Sequence, residues 1–208
     1  MGDANNKISK SSLQFFKSVV LDDIAAGPIN FSIKKNKAFQ LAKKYSQLVG
    51  IKQHDFHSTI FSLSFGNKKK VALAGVLAIE PQIFVFDEPF VGLDFQSQNN
   101  LKKIIHNLAN NQKIILIVSH NLDIALELAD EILILHDKKI ISSGKPYDVF
   151  CNKKVMNISQ VGIPNVIKTI NNLPSEFSFL YDKQPKNVDE LANYINEYLS
   201  KKARRKNA

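Results

Sequence analysis

Between Lys34 and Val49 the apolar positions Ala38, Leu41, Ala42, Tyr45 and Leu48 recur at helical spacing, and Gly50 then supplies a stop. A second helix is predicted from just after Gly66 to about Ile79, closed by Pro81. The run QIFVFD that follows is short, apolar and bounded by Pro81 and Pro89, the pattern of a strand buried on both faces. Leu101, Ile104, Ile105 and Leu108 form an i, i+3, i+4, i+7 stripe and predict a third helix. KIILIVSH reads as another buried strand, and Leu122, Ala125, Leu126 and Ala129 mark a further helix. EILILH and KIISSG then read as two strands joined by a tight turn at Asp137-Lys138. Strand, helix, strand, helix, strand is the order of a parallel α/β sheet with right-handed crossovers. Beyond Phe150 the pattern changes to helical pieces punctuated by Pro164, Pro174 and Pro185. The expected organisation is therefore a main domain over 1–151 and a small C-terminal extension over 152–208.

Composition narrows the class of protein. With 208 residues, 44% of them hydrophobic, the chain can bury a real core. It has no apolar run of membrane-spanning length and its first residues, MGDANNKISKSS, are polar, so neither a transmembrane helix nor a secretory signal is expected. The single cysteine, Cys151, excludes an internal disulfide and fits a reducing compartment. A net charge of +9 invites a nucleic-acid reading. Against it, the only arginines are Arg204 and Arg205, and the lysines are dispersed over predicted helix faces as a solvated surface. No nucleic-acid partner is expected. The closing KKARRKNA is a true basic cluster, read as a disordered tail to which anionic lipid headgroups would be attracted.

Chemistry gathers at a few positions. Asp87 and Glu88 follow four apolar residues, at the strand end where open α/β sheets place their ligands. In phosphoryl transfer an aspartate so placed holds Mg²⁺, and the next carboxylate can polarise the attacking water. His120 also ends a predicted strand and could reach a γ-phosphate as a hydrogen-bond donor. Ser64 and Gly66 precede a helix, whose free N–H groups and dipole favour an anion. Taken singly, each has a plainer reading: a turn cap, a structural histidine, a serine N-cap.

Together they stand in a recognisable order. Leu63-Ser64-Phe65-Gly66-Asn67, Phe86-Asp87-Glu88-Pro89, Gly92-Leu93-Asp94 and Val118-Ser119-His120 resemble the signature motif, Walker B strand, D-loop and switch histidine of ABC transporter ATPases. "DDIAAGPINF" (22–31), "VALAGVLAIEP" (71–81) and "DEPFVGLD" (87–94) narrow the resemblance to the ATPases of energy-coupling factor (ECF) vitamin and metal importers. "SSGKPYDVF", "VGIPNVIKTINNL" and "NVDELANYI" are similar to the C-terminal extension of that subfamily, so the likeness runs from about Gln14 to about Ile195. It implies an incomplete ABC-type (RecA-like) parallel sheet with a helical signature subdomain and a small C-terminal extension. The cofactors it implies are ATP and Mg²⁺. Asp87 would bind the metal, Glu88 and His120 would be catalytic, and Ser64, Gly66, Asn67 and Asp94 would bind nucleotide. The implied partners are a second ECF-type ATPase subunit, in a heterodimer, and a transmembrane scaffold subunit, at the cytoplasmic face of the membrane.

The sequence departs from the family in one large respect. Relatives carry a Walker A loop, GxxxxGK[ST], whose N–H groups and lysine embrace the β- and γ-phosphates. None of the eight glycines here stands in such an arrangement. Phe65 replaces the usual signature glycine, Asn67 replaces the usual glutamine, and no glutamine falls near Ser9, where relatives place one. The expectation is a chain recorded without its N-terminal portion. It could donate Ser64, Gly66 and the Asp94 loop to a partner's ATP, with no ATPase activity alone. A non-catalytic remnant or partner-binding scaffold is the alternative. The family's Walker A strand lies between the strand before His120 and the strand at Glu131–His136, so a break in the sheet and a tendency to aggregate are expected there.

Overall fold

The structure is a computed structural model and describes residues 15–206, which divide into two compact units at the Leu116–Ile117 junction. The positions of Ser9 and Gln14, and the stretch searched for a spare strand, lie outside the described residues.

The first unit is built on three mutually packed helices, α1 (Val20–Asn30), α2 (Lys35–Leu48) and α3 (Phe65–Ala78). The α1 helix is not among the elements predicted from the sequence. It forms because Val20, Leu21, Ile24 and Ala25 recur at helical spacing and are buried, which outweighs the bond that Pro28, in the last turn, cannot donate to the Ile24 carbonyl. Gly27 lets it approach α3: a Cβ there would lie 3.0 Å from Ile79 Cγ1. Asp23 is buried at the start of α1 and its Oδ1 accepts from the Phe16 and Lys17 N–H groups at 2.6 and 2.8 Å.

Beyond α3 come β1 (Ile83–Asp87), α4 (Phe95–Asn110) and β2 (Ile114–Val118), with β1 and β2 paired in a two-stranded sheet. The two strands differ from expectation in burial. Phe84 and Phe86 point into the core, with ring centroids 5.8 Å apart, but Ile83 and Val85 are 58% and 63% exposed. Ile114, Leu116 and Val118 of β2 are exposed as well. Side chains alternate across a strand, and among the described residues only one face of this sheet is covered, so an all-apolar strand becomes a half-buried one.

The second unit opens with α5 (Leu122–Leu128) and a hairpin of β3 (Ile132–His136) and β4 (Lys139–Gly144). The strands pair antiparallel, His136 opposite Lys139 and Ile132 opposite Gly144, with an irregularity after Ile134. Asp137 and Lys138 both take positive φ, +47° and +62°, as a two-residue turn matched to strand twist requires. Helices α6 (Pro146–Phe150), α7 (Lys153–Ser159), α8 (Asn165–Asn172), α9 (Leu180–Lys183) and α10 (Val188–Lys206) follow. Leu126, Ile132, Ile134, Phe150, Ile167 and Leu180 are among the residues of one shared core, so segments on both sides of residue 151 pack together. Tyr147 Oη donates to the Pro185 carbonyl at 2.7 Å within it.

The basic C-terminal stretch is a correction. Lys201 to Lys206 continue α10 as helix, and Lys202 pairs with Glu176. Leu191, Tyr194, Ile195 and Tyr198 anchor the helix on the core; extension past a formed nucleus then needs only one residue's ordering per hydrogen bond, and cations suit a helix C-terminus.

The five-element order predicts one parallel sheet. The described strands form two sheets instead, β1–β2 and the antiparallel β3–β4. The interruption falls between β2 and β3. Among the described residues, no helix is long and apolar enough to cross a membrane.

Candidate nucleotide-binding site

The α3 helix starts where Ser64 leaves the helical region at φ −60°, ψ 158°, and its Oγ accepts from the Asn67 N–H at 3.3 Å. Ser64 is thus an N-cap, and the helix begins at Phe65, two residues before the start read from the sequence. Gly66 sits in the first turn, and a Cβ on it would lie 3.6 Å from the Gly92 carbonyl oxygen. The turn carrying Ser64, Gly66 and Asn67 therefore lies against the loop that follows β1.

That loop is tightly determined. Asp87 ends β1 and is exposed; Glu88 is half-buried with φ at +46°, and Gly92 has φ at +77°. Phe65 covers Gly92 so closely that a Cβ there would stand 2.8 Å from its ring. Lys69, one turn along α3 from Phe65, sends its Nζ to the carbonyl oxygens of Glu88 at 2.8 Å and Val91 at 2.6 Å. Burial lowers the Lys69 pKa, opposed by the nearby Glu88 and Asp87 carboxylates. Sequence reading missed Lys69, because it stands inside a run of three lysines that looks like solvated surface. The available signal was its i, i+4 relation to Phe65, which puts both on one helix face.

Asp94 closes the loop as the N-cap of α4, accepting from the Ser97 N–H at 2.7 Å, and this bond holds its carboxyl below the usual range. Gln98 Nε2 donates to the Phe90 and Leu93 carbonyls, bracing the loop from the far side. Behind it, α3, β1 and α4 line a cleft of about 180 Å³ that includes Leu73, Val85, Asp87 and Leu101.

The structure therefore brings Ser64, Gly66 and Asn67 together with the loop bearing Asp87, Glu88 and Asp94. His120 belongs to the second unit, exposed just beyond β2. Its neighbours order the start of α5: Ser119 Oγ accepts from the Asn121 N–H, and Asn121 Oδ1 accepts from the Ile124 N–H.

A metal can be considered on the donor set. Among the described residues no three His, Cys, Asp or Glu side chains converge on a point. Asp87, exposed at a strand end, is the donor a Mg²⁺ ion uses when most of its other ligands are water and phosphate oxygens. The residues present thus fit a nucleotide-borne Mg²⁺ and do not form an all-protein metal cage.

A capped helix N-terminus packed on the loop that follows a carboxylate-ended strand is thus the geometry of this site. The sequence pattern of the ABC transporter family matches residues 5–91. A dimeric ATP-binding cassette solved in a post-hydrolysis state with ADP and Pi shares the fold, with a TM-score of 0.60 at 18% identity over 66% of this chain and 61% of that one. The chain belongs to the ATP-binding family of ABC transporters. Within that family its curated relatives are energy-coupling factor transporter ATP-binding proteins EcfA2. That of Mycoplasmoides gallisepticum is 36% identical over 89% of this chain and 59% of its own length. That of Mycoplasma pneumoniae is 37% identical over 90% and 63%. A solved cbiO1 from Clostridium perfringens, part of the ABC transporter complex cbiONQ, is 27% identical with a TM-score of 0.58, over 80% of this chain and 62% of that one. The chain spans about three-fifths of the length of these relatives.

Proposed function

We propose that the chain serves as an ATPase subunit of an ECF-type ABC importer, powering uptake of a vitamin or metal ion. The observation that carries this reading is the apposition of the Ser64–Asn67 turn and the Asp87–Asp94 loop. Ser64, Gly66 and the Asp94 loop present backbone N–H groups and a helix N-terminus to the γ-phosphate of an ATP held mainly by a second ATPase subunit. Asp87 offers one carboxylate to Mg²⁺, which supplies charge neutralisation on the phosphates when bound. Only where a Walker A loop is supplied to the chain's own half-site, separate from the one Ser64 and Gly66 serve, would Glu88 orient and polarise the attacking water and His120 contact the γ-phosphate. Phosphate-cradling residues of the Walker A type, which the 208 residues lack, would be supplied by another chain or segment. The division of the described strands into two two-stranded sheets, in place of one parallel sheet, supports an incomplete RecA-like sheet. The second ATPase subunit and a transmembrane scaffold would hold the protein at the cytoplasmic membrane face.

The test is ATP hydrolysis on mixing the chain with an intact ECF ATPase partner. Activity above that of the partner alone, lost with Ser64→Arg, is expected. Activity that is the same with and without the chain supports the second reading, a non-catalytic scaffold. One observation favours that reading: the Ser64 and Asp94 side chains are already engaged as helix caps.

A further inference from the structure

Lys69 is given no contact with phosphate or metal in the functional reading above, yet its side chain ties the first turns of α3 to the loop after β1. Its ammonium leaves the lysine run and donates to two backbone carbonyls, Glu88 at 2.8 Å and Val91 at 2.6 Å. These carbonyls flank Pro89-Phe90, so one cation spans the whole turn between β1 and the loop. The turn needs such a hold. Glu88 is a non-glycine residue at φ +46°, and such conformations persist only where surrounding contacts over-determine them. One helical turn back on the same face, Phe65 lies on Gly92. Two side chains four residues apart on α3 thus grip the turn at three points, residues 88, 91 and 92.

A lysine that merely packed at the surface would keep its charge in water. Here its head is drawn inward, far enough that burial lowers its pKa, and both bonds go to main chain. Main-chain acceptors fix the path of the loop, whereas a side-chain partner would fix only itself. We propose that Lys69, seconded by Phe65, is a positioning residue: it fastens the 88–92 turn to the first two turns of α3, so that Ser64 and Gly66 move as one piece with Asp87 and Glu88. The mechanical part stands on geometry alone. Its consequence for hydrolysis rests on the ATPase reading.

The test is amide hydrogen exchange in the chain as it stands, read at Val91 and Leu93, whose N–H groups bond within the turn to Glu88 and Phe90 carbonyls at 3.4 and 3.3 Å. Losing two charge-assisted hydrogen bonds in Lys69→Met should speed exchange there by about tenfold or more, with Ile104 and Ile105 of α4 unchanged. Lys69→Arg, with donors enough for both carbonyls, should restore slow exchange. Unchanged exchange in Lys69→Met, or an Arg variant as loose as the Met variant, overturns the proposal. If Lys69→Met fails to fold, Lys69→Gln is read in the same way and should fall between the two. In the partner-reconstituted ATPase assay, Lys69→Met should lower kcat with KM for ATP unchanged; a rise in KM at unchanged kcat contradicts a positioning role. Absence of any ATPase activity in the wild-type mixture removes the functional reading and leaves the exchange result standing.

Discussion

Gly92 and Gly66 show how two glycines 26 residues apart in the chain come to serve one loop for different reasons. Gly92 needs its freedom twice, once for φ +77° and once because Phe65 occupies the space of a Cβ. Gly92→Ala should therefore lower unfolding free energy by about 1–3 kcal/mol in urea titration. Gly66 is different: the Gly92 oxygen at 3.6 Å is an ordinary neighbour for a methyl group, and alanine suits a helix. Gly66→Ala should leave stability within about 0.5 kcal/mol of wild type while obstructing the approach of a phosphate, so ATPase activity with the partner should fall without any change in the urea midpoint. The motif order made Gly66 and Asp87 legible in the sequence. Lys69 was not legible, because a lysine that bonds main chain and one that faces water have the same letter and the same spacing.

Elements were legible where their own pattern decided them. The β3–β4 hairpin and its Asp137-Lys138 turn could be read directly, since alternating burial and a two-residue connection are local properties. The α1 helix could not, because Pro28 is a breaker by propensity and only the packing of Val20, Leu21, Ile24 and Ala25 against α2 and α3 outweighs it. Between elements, Glu80 ends α3 at φ +53° and ties it to α2, accepting from Tyr45 Oη at 2.6 Å and Lys44 Nζ at 3.1 Å. The Tyr45 hydroxyl, with Lys44 helping, holds the Glu80 carboxyl below its usual value against the opposing effect of burial. A carboxylate pKa depressed by folding stabilises above the unfolded pKa, and that stability is lost as pH falls through the folded one. Glu80→Gln should thus destabilise near pH 7 by a fraction of about 1 kcal/mol, the pair being partly exposed, and the difference should shrink as pH falls below the ordinary carboxylate range; thermal melts across that range check this. In the second unit Tyr147→Phe leaves the Pro185 carbonyl without its donor and should cost about 1 kcal/mol in chemical denaturation.

At the scale of the molecule, the first unit keeps apolar strand positions in water that a complete α/β layer would cover. Val85 and Leu116 are exposed on neighbouring strands with no charge between Ile83 and Phe86 or between Ile114 and Val118. Such strands recruit other chains. Light scattering should show concentration-dependent association of the isolated chain, reduced by Val85→Lys or Leu116→Lys without loss of helical content. If both variants associate as the wild type does, the exposed strands are not the cause.

The sequence by itself determined the helix stripes, the hairpin turn and the order of chemically meaningful residues, because periodicity, turn chemistry and motif spacing are written over a few neighbouring positions. It also determined that the strands are apolar. Which faces of those strands meet protein and which meet water was decided only by tertiary structure, since that depends on what layers lie above and below. The same holds for the basic end of α10, made helical by a core that Leu191 and Tyr198 reach, and for Lys69, whose direction is set by a loop nineteen residues away in the chain.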